Sequence, residues 1–305
     1  MPGAPNPGTA FRCATAARER GDPMVGSAPF ARGWLLIEHS GPWRVDALAG
    51  SGIAADVQQL LAEVARELPA RVLLIRRPGR TVRRSPRSWA ALRTDGAVTW
   101  GTWATDEDLR DAVDALRAEP ASSPGPSEPV LLVCAHGMHD TCCAIRGRPV
   151  AAALAREWPD AVWECSHVGG CRFAPSVVVL PDGYYYGNLE ADAAVAAVRD
   201  HLAGEVALPY LRGMTRVAPP AQAAIAAVHR HLGPLGPHDV EVLTTEHPAR
   251  GFWFVNLTVP GLGPGALRAA VAAIRRDPAQ LTCRAPQDSP ATEYRVVRLT
   301  RYHPH

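Results

Sequence analysis

Lysine is missing from this 305-residue chain, so its 32 basic residues are all arginine. With abundant alanine, proline and glycine, that absence reads as coding bias and carries no functional message. Also missing is any apolar run near the roughly 18–20 residues that a membrane helix needs. The N-terminus lacks the charged-then-apolar pattern of a secretory signal. A cytoplasmic protein with no membrane partner is the expectation, and its seven cysteines are then reduced or metal-bound rather than paired in disulfides. There is little excess charge either: a formal +2 is too small to point to nucleic acid. What remains is an ordinary soluble composition, 47% hydrophobic, with length for two or three domains.

The chemistry lies in residues 130–189, where five of the seven cysteines and three histidines fall. Cys134 ends the apolar run Val130–Val133, Cys142 and Cys143 follow a short polar loop, and His167-x-x-x-Cys171 follows a second strand-like run. Two pairs of soft ligands, each on a loop leaving a strand, is how a small fold grips a metal cluster. The reading is a 2Fe–2S cluster held by Cys134, one of the adjacent Cys142 and Cys143, His167 and Cys171. Zinc stays open as a rival, because three Cys and one His is also a zinc set. The gap from Cys134 to Cys143 is nevertheless wider than a zinc knuckle. Cys13, Cys165 and Cys283 read as small buried hydrophobes, and His136 and His139 as exposed loop residues.

The elements around these residues follow the order β-α-β-β-β-α. A fully apolar strand at 130–133 leads to a helix opened by Pro149, where the missing N–H costs nothing. Val150, Leu154 and Trp158 supply that helix's buried face. Ala161–Ser166 is the next strand. Ser176–Leu180 and Tyr184–Leu189 form a hairpin closed by Asp182-Gly183. A second helix spans 191–202, with Val195, Val198 and Leu202 on one side. This is an α/β order close to a minimal thioredoxin-like domain, with Cys134 at a strand end, where open α/β sheets place ligands.

The runs VCAHGMHDTCCA (133–144) and SHVGGCRFAPSVVVLPDGYYYG (166–187), with RGDPMVGSAP (20–29) near the N-terminus, resemble the sucrase/ferredoxin-like family. The resemblance implies a thioredoxin-like 2Fe–2S ferredoxin core, selects Cys143 over Cys142, and covers most of the chain. Members often carry His-x-x-x-His at the second pair; here Cys171 stands at the second His position. The implied ligands are thus Cys134, Cys143, His167 and Cys171. Such a cluster is one unit less negative than a four-thiolate one, which places its potential between the all-Cys and two-His ranges. The resemblance also makes Arg20–Pro23 a candidate for shielding the cluster or docking a partner; the residues alone suggest a polar surface loop over 13–32. Arg172 reads either as a cation steadying the reduced cluster or as a solvated surface residue. Sucrose hydrolysis, suggested by the family's name, finds no acid/nucleophile carboxylate pair here.

The order β-α-β-β-β-α also occurs over 33–120. Its hairpin is closed by Asp95-Gly96, and its last helix has an acidic first turn. The segments SWAALRTDGAVTWGTWATDEDLRDAVDAL and SVVVLPDGYYYGNLEADAAVAAVRDHL align by eye, which implies a duplication. The first copy lacks ligands, with RRPGR standing where SHVGGCR stands later. The domain expectation is a tail and loop (1–32), a ligand-free thioredoxin-like domain (33–120), a linker (121–129), the cluster domain (130–212) and a small C-terminal α+β domain (216–305). The last has a helix after Pro219-Pro220, three strand-like runs and no motif convertible into chemistry.

Three functional classes follow: a one-electron carrier between a reductase and an acceptor protein, a thiol–disulfide oxidoreductase, and a zinc-stabilised binding module. The second lacks a Cys-x-x-Cys at the first strand's end, and vicinal Cys142-Cys143 is a poor substitute. Redox proteins are the expected partners, with a homodimer left open.

Overall fold

The structure is a computed structural model and describes residues 10–79, 85–94, 98–118, 128–233, 235–261 and 266–302. Two apolar runs set its architecture. Gly33–Glu38 (β1) is buried at every position, as is Val130–Cys134 (β5), and strands buried on both faces belong inside a sheet. β1 lies between Ala70–Arg76 (β2), parallel to it, and Arg87–Arg93 (β3), antiparallel. β5 lies between Val162–Cys165 (β6), parallel, and Ser176–Leu180 (β7), antiparallel. Val98–Trp103 (β4) continues outward from β3, and Tyr184–Gly187 (β8) from β7. An antiparallel seam of two residue pairs, Ile75 with Cys165 and Arg76 with Glu164, joins β2 to β6. Leu211–Met214 (β9) adds to β8. The product is one nine-stranded mixed sheet in the order β4-β3-β1-β2-β6-β5-β7-β8-β9.

Alternation along the strands assigns the faces. Leu35 and Ile37 pack with Ala55–Glu67 (α2) and Leu109–Arg117 (α3). Leu131 and Val133 pack with Thr141–Glu157 (α4) and Ala191–Leu202 (α5). The residues between them, Trp34, Leu36, Leu132 and Cys134, turn to the opposite face, where Cys13 and Ala14 of the helix Cys13–Glu19 (α1) cover them. A separate antiparallel sheet follows: Glu241–Ala249 (β10), Phe252–Thr258 (β11), Ala266–Arg275 (β12) and Thr292–Tyr302 (β13), in sequence order. Pro219–Leu232 (α6) packs between it and the second half of the large sheet.

Several sequence expectations are corrected here. The loop expected over 13–32 contains α1, whose Cys13, Ala14 and Ala17 are buried. α4 opens at Thr141, not Pro149, because the Asp140 side chain accepts a 2.9 Å hydrogen bond from the Cys142 N–H and caps the helix. Cys142 and Cys143 therefore stand in a helix's first turn, not on a loop, and Pro149 lies inside the helix. The hairpin between β7 and β8 is wider than a two-residue turn, since Val179 pairs with Tyr184. α5 keeps its expected span, but Leu202 is exposed and His201 is buried in its place. The C-terminal region has a fourth strand, β12, built largely of helix formers. The Asp95-Gly96 turn and most of the 121–129 linker lie outside the described residues.

The start of α4 is pressed onto the end of β5. A Cβ on Gly147 would overlap the Cys134 carbonyl oxygen, which is backbone and has no freedom to yield. Gly147→Ala is therefore expected to destabilise the metal-free protein by about 1–3 kcal/mol despite alanine's better helix propensity. A urea-unfolding midpoint equal to or above wild type would contradict this packing.

Candidate metal centre

The site assembles where three pieces of backbone end. β5 delivers Cys134 at its C-terminal end, α4 delivers Cys143 from its capped first turn, and the segment leaving β6 carries His167. Gly169 and Gly170 then turn the chain with φ of +91° and +69°, a region that favours glycine. The turn brings Cys171 back in a short 3-10 helix, Cys171–Phe173. Gly170 has a second constraint, because a Cβ there would strike the Arg212 guanidinium.

The residues expected as ligands lie near one another, but the groups here able to hold a metal ion, among the described residues, are His139, His167 and Cys171, and Asp140, Cys143 and Cys171, with Cys134 in neither. The Cys143 thiol interacts with the sulfurs of Cys134 and Cys171, and His167 interacts with the same two, its Nδ1 3.4 Å from Cys171 Sγ. Cys134, Cys143 and Cys171 are each 2% exposed, whereas His167 is half-buried and forms the site's outer edge. Cys142, the neighbour of Cys143, takes another direction: its sulfur lies 3.4 Å from that of Cys283, beside Cys13 and Asp140. Cys165 is fully buried on β6, and burial raises its thiol pKa well above the ordinary value.

The histidines of the 135–139 loop differ from expectation. His136 is 1% exposed, hydrogen bonds through Nε2 to the Arg44 carbonyl at 2.6 Å, and packs edge-on to Trp43. Burial lowers its pKa, against the raising effect of that carbonyl. His139 is half-buried and stacks on His167 with ring centroids 3.7 Å apart. With His167 and Cys171 it forms a group able to hold a metal ion, and its contact with Cys171 raises its pKa. Sequence reasoning missed His139; its only visible signal was its place in the loop between Cys134 and Cys142.

Charge in the site is distributed unevenly. A hydrogen bond from the Cys143 thiol does most to hold Cys171 low, at about 3, against its burial, and His139 and His167 add to that. Cys134 is likewise lowered, by Cys143 and His167, while Cys143, as donor to both, is raised. Burial pulls His167 down, but its contacts with Cys134 and Cys171 outweigh this and raise it to about 9. Behind the thiols lies Arg212, fully buried. It donates to Ser27 Oγ at 3.1 Å, the Ser27 carbonyl at 2.9 Å, the Gly169 carbonyl at 3.0 Å and Ser176 Oγ at 2.9 Å. All four acceptors are neutral, and burial lowers its pKa to about 10, with Cys171 and Cys134 acting in the opposite sense. Arg172, by contrast, lies 3.5 Å from Asp22, which also pairs with Arg20 at 2.9 Å. The Arg20–Pro23 segment thus packs against the residue that follows Cys171.

A titration tests this arrangement in the metal-free protein. The depressed Cys171 thiol lends stability that is complete above its ordinary value of 9.0 and is withdrawn as the pH falls through about 3. Thiolate absorbance should accordingly persist well into the acid range, and His167→Gln should shift its loss to higher pH. A wild-type protein whose thiols all titrate near the ordinary value would refute the arrangement.

No curated protein and no solved structure matches this chain. The family model described as sucrase/ferredoxin-like matches residues 24–213. That span contains Cys134, Cys143, His167, Cys171 and the buried Arg212, and it takes in well over half of the sequence, so the chain belongs to the sucrase/ferredoxin-like family.

Proposed function

We propose that Cys134, Cys143, His167 and Cys171 hold a 2Fe–2S cluster and that the protein is a one-electron carrier between redox partner proteins. The observation that supports this most is the burial of three thiols with one imidazole beside a buried guanidinium that has only neutral acceptors. A buried cation without a counter-charge is costly, and an anionic thiolate-ligated group beside it supplies the missing charge. The donor set fits an iron–sulfur centre chemically: three soft sulfurs shut away from water and a half-buried imidazole at the edge.

Bound there, the cluster supplies one-electron transfer at a potential set by its ligands and surroundings. The chain's residues do the rest. Cys134, Cys143 and Cys171 exclude solvent from the inner side. Arg212 contributes a fixed positive charge from behind. The half-buried edge of His167, stacked on His139, is where the site comes nearest the surface. Exposed Met138 and Val45 flank that edge, with the Val45 carbonyl 3.3 Å from His139 Nδ1, and offer an apolar contact for a redox partner. The common strand order of the two halves, β4-β3-β1-β2 and β8-β7-β5-β6, supports an internal duplication of a thioredoxin-like unit. On that reading the first copy is a scaffold.

The proximity of His139 to His167 and Cys171 favours a second reading, a mononuclear site for an ion such as zinc. Anaerobic reconstitution separates the two. The first requires a coloured protein with iron and sulfide in the equal amounts of a 2Fe–2S cluster; a colourless protein that retains zinc would establish the second.

Two substitutions test the assigned roles. His167→Cys adds one thiolate and is expected to lower the reduction potential by about 59 mV or more, the equivalent of a tenfold change in a one-electron equilibrium. Arg212→Leu removes the buried cation and is expected to lower it as well, because the reduced state carries the greater negative charge. Voltammetry of the reconstituted variants decides both, and an unchanged potential would remove His167 from the ligands or Arg212 from the charge balance.

A further inference from the structure

A second thiol group lies beside the first. Cys13 begins α1, Cys142 stands in the first turn of α4 and Cys283 belongs to the connection between β12 and β13, yet the three sulfurs meet around the Asp140 carboxylate. Cys142 Sγ is 3.4 Å from Cys283 Sγ, and Cys283 Sγ is 3.6 Å from Cys13 Sγ. Cys13 Sγ is 3.4 Å from Asp140 Oδ2 and 3.5 Å from Oδ1. Cys13 and Asp140 are fully buried, Cys142 is 1% exposed and Cys283 half-buried.

Thiols packed as small hydrophobes do not account for this group, because a fully buried carboxylate stands among them. That carboxylate is held in place: the Cys142 N–H donates to Oδ1 at 2.9 Å and the Cys283 N–H to Oδ2 at 2.7 Å. The Cys13 N–H points to Cys283 Sγ at 3.5 Å. A tetrahedral ion with metal–sulfur bonds of about 2.3 Å separates its ligands by about 3.8 Å. The observed separations fall within a few tenths of an ångström of that edge, so small outward shifts open a cavity of the right size.

We propose that Cys13, Cys142, Cys283 and Asp140 form a second metal site, for a zinc-class divalent cation, which pins the N-terminal helix and the β12–β13 connection to the start of α4. Three thiols and a carboxylate give the closed four-ligand set of a structural site, and binding releases the thiol protons. Cys13 and Cys283 both lie outside the residues matched by the family, so the site does not follow from family membership. It shares no ligand with the iron–sulfur set, and of its four residues Asp140 alone also stands within 4.8 Å of Cys143 and Cys171; Cys283→Ser is therefore the substitution that reads this site by itself.

The test uses Zn2+ alone and the full chain. In a Cys134→Ser/Cys171→Ser background, which disables the first set, the purified reduced protein is expected to retain one zinc per chain against a competing chelator. Adding Cys283→Ser should abolish retention. Adding Asp140→Asn, which keeps a side-chain cap on α4, should weaken zinc binding at least about tenfold. In the otherwise wild-type chain, Cys283→Ser should lower the zinc content by one per chain, a measurement that stands even if the background variant folds poorly. The proposal is overturned if zinc content is insensitive to both Cys283→Ser and Asp140→Asn. It is equally overturned if peptide mapping of the zinc-supplied protein finds a Cys142–Cys283 disulfide in place of free thiols.

Discussion

The Asp140 carboxylate is the fixed point of this protein. It caps α4 by accepting the Cys142 N–H and fastens the β12–β13 connection by accepting the Cys283 N–H. Because the cap sets where the helix starts, it also sets where two consecutive side chains point. One residue apart on a helix is about 100° of rotation, so Cys142 and Cys143 diverge, one toward Cys13 and Cys283 and the other toward Cys134 and Cys171. A helix beginning at Pro149 would have left both on a loop with no such separation. Capping thereby turns a vicinal pair into members of two distinct groups.

The second constraint is electrostatic. Most buried arginines meet a carboxylate; Arg212 meets two carbonyls and two hydroxyls. Its guanidinium ties the Ser27 backbone to the Gly169–Gly170 turn, and that turn requires glycine both for its dihedral angles and for the space the guanidinium occupies. The same side chain thus fixes the geometry of the Cys171 turn and the charge behind it. Arg172, nearer to Cys171 in sequence, is matched by Asp22 and brings less free charge to the thiols.

Local signals made much of this legible. The apolar run of β5 and the limits of α5 were readable because each depends on residues close in sequence. The start of α4 was misread because Pro149 gave a conspicuous signal for a helix start, whereas Asp140 stands before two cysteines rather than before an evident apolar period. β12 was missed because alanine, leucine and arginine favour helix in isolation; pairing with β11 and β13 on either side overrides that preference. Nothing in the sequence says that Trp43 covers His136 and His167 covers His139, so the loop by itself reads as exposed. The meeting of Cys13 with Cys283 spans 270 residues and leaves no trace in spacing.

The seam between β2 and β6 bears on what is separable in this chain. Two residue pairs are a thin join, yet around it Ser166 exchanges hydrogen bonds with Leu74, Arg76 pairs with Glu164 at 2.8 Å, and Arg71 donates to the His167 carbonyl at 3.1 Å. The half that carries β1 and β2 therefore holds the backbone of His167, a member of the candidate metal group in the other half. Cutting the chain between them would expose the edge of β6 to pairing with other chains and free His167 from its tether. In engineering terms the smallest transplantable unit is larger than the stretch that carries the cysteines: it includes β1, β2 and the sheet they complete.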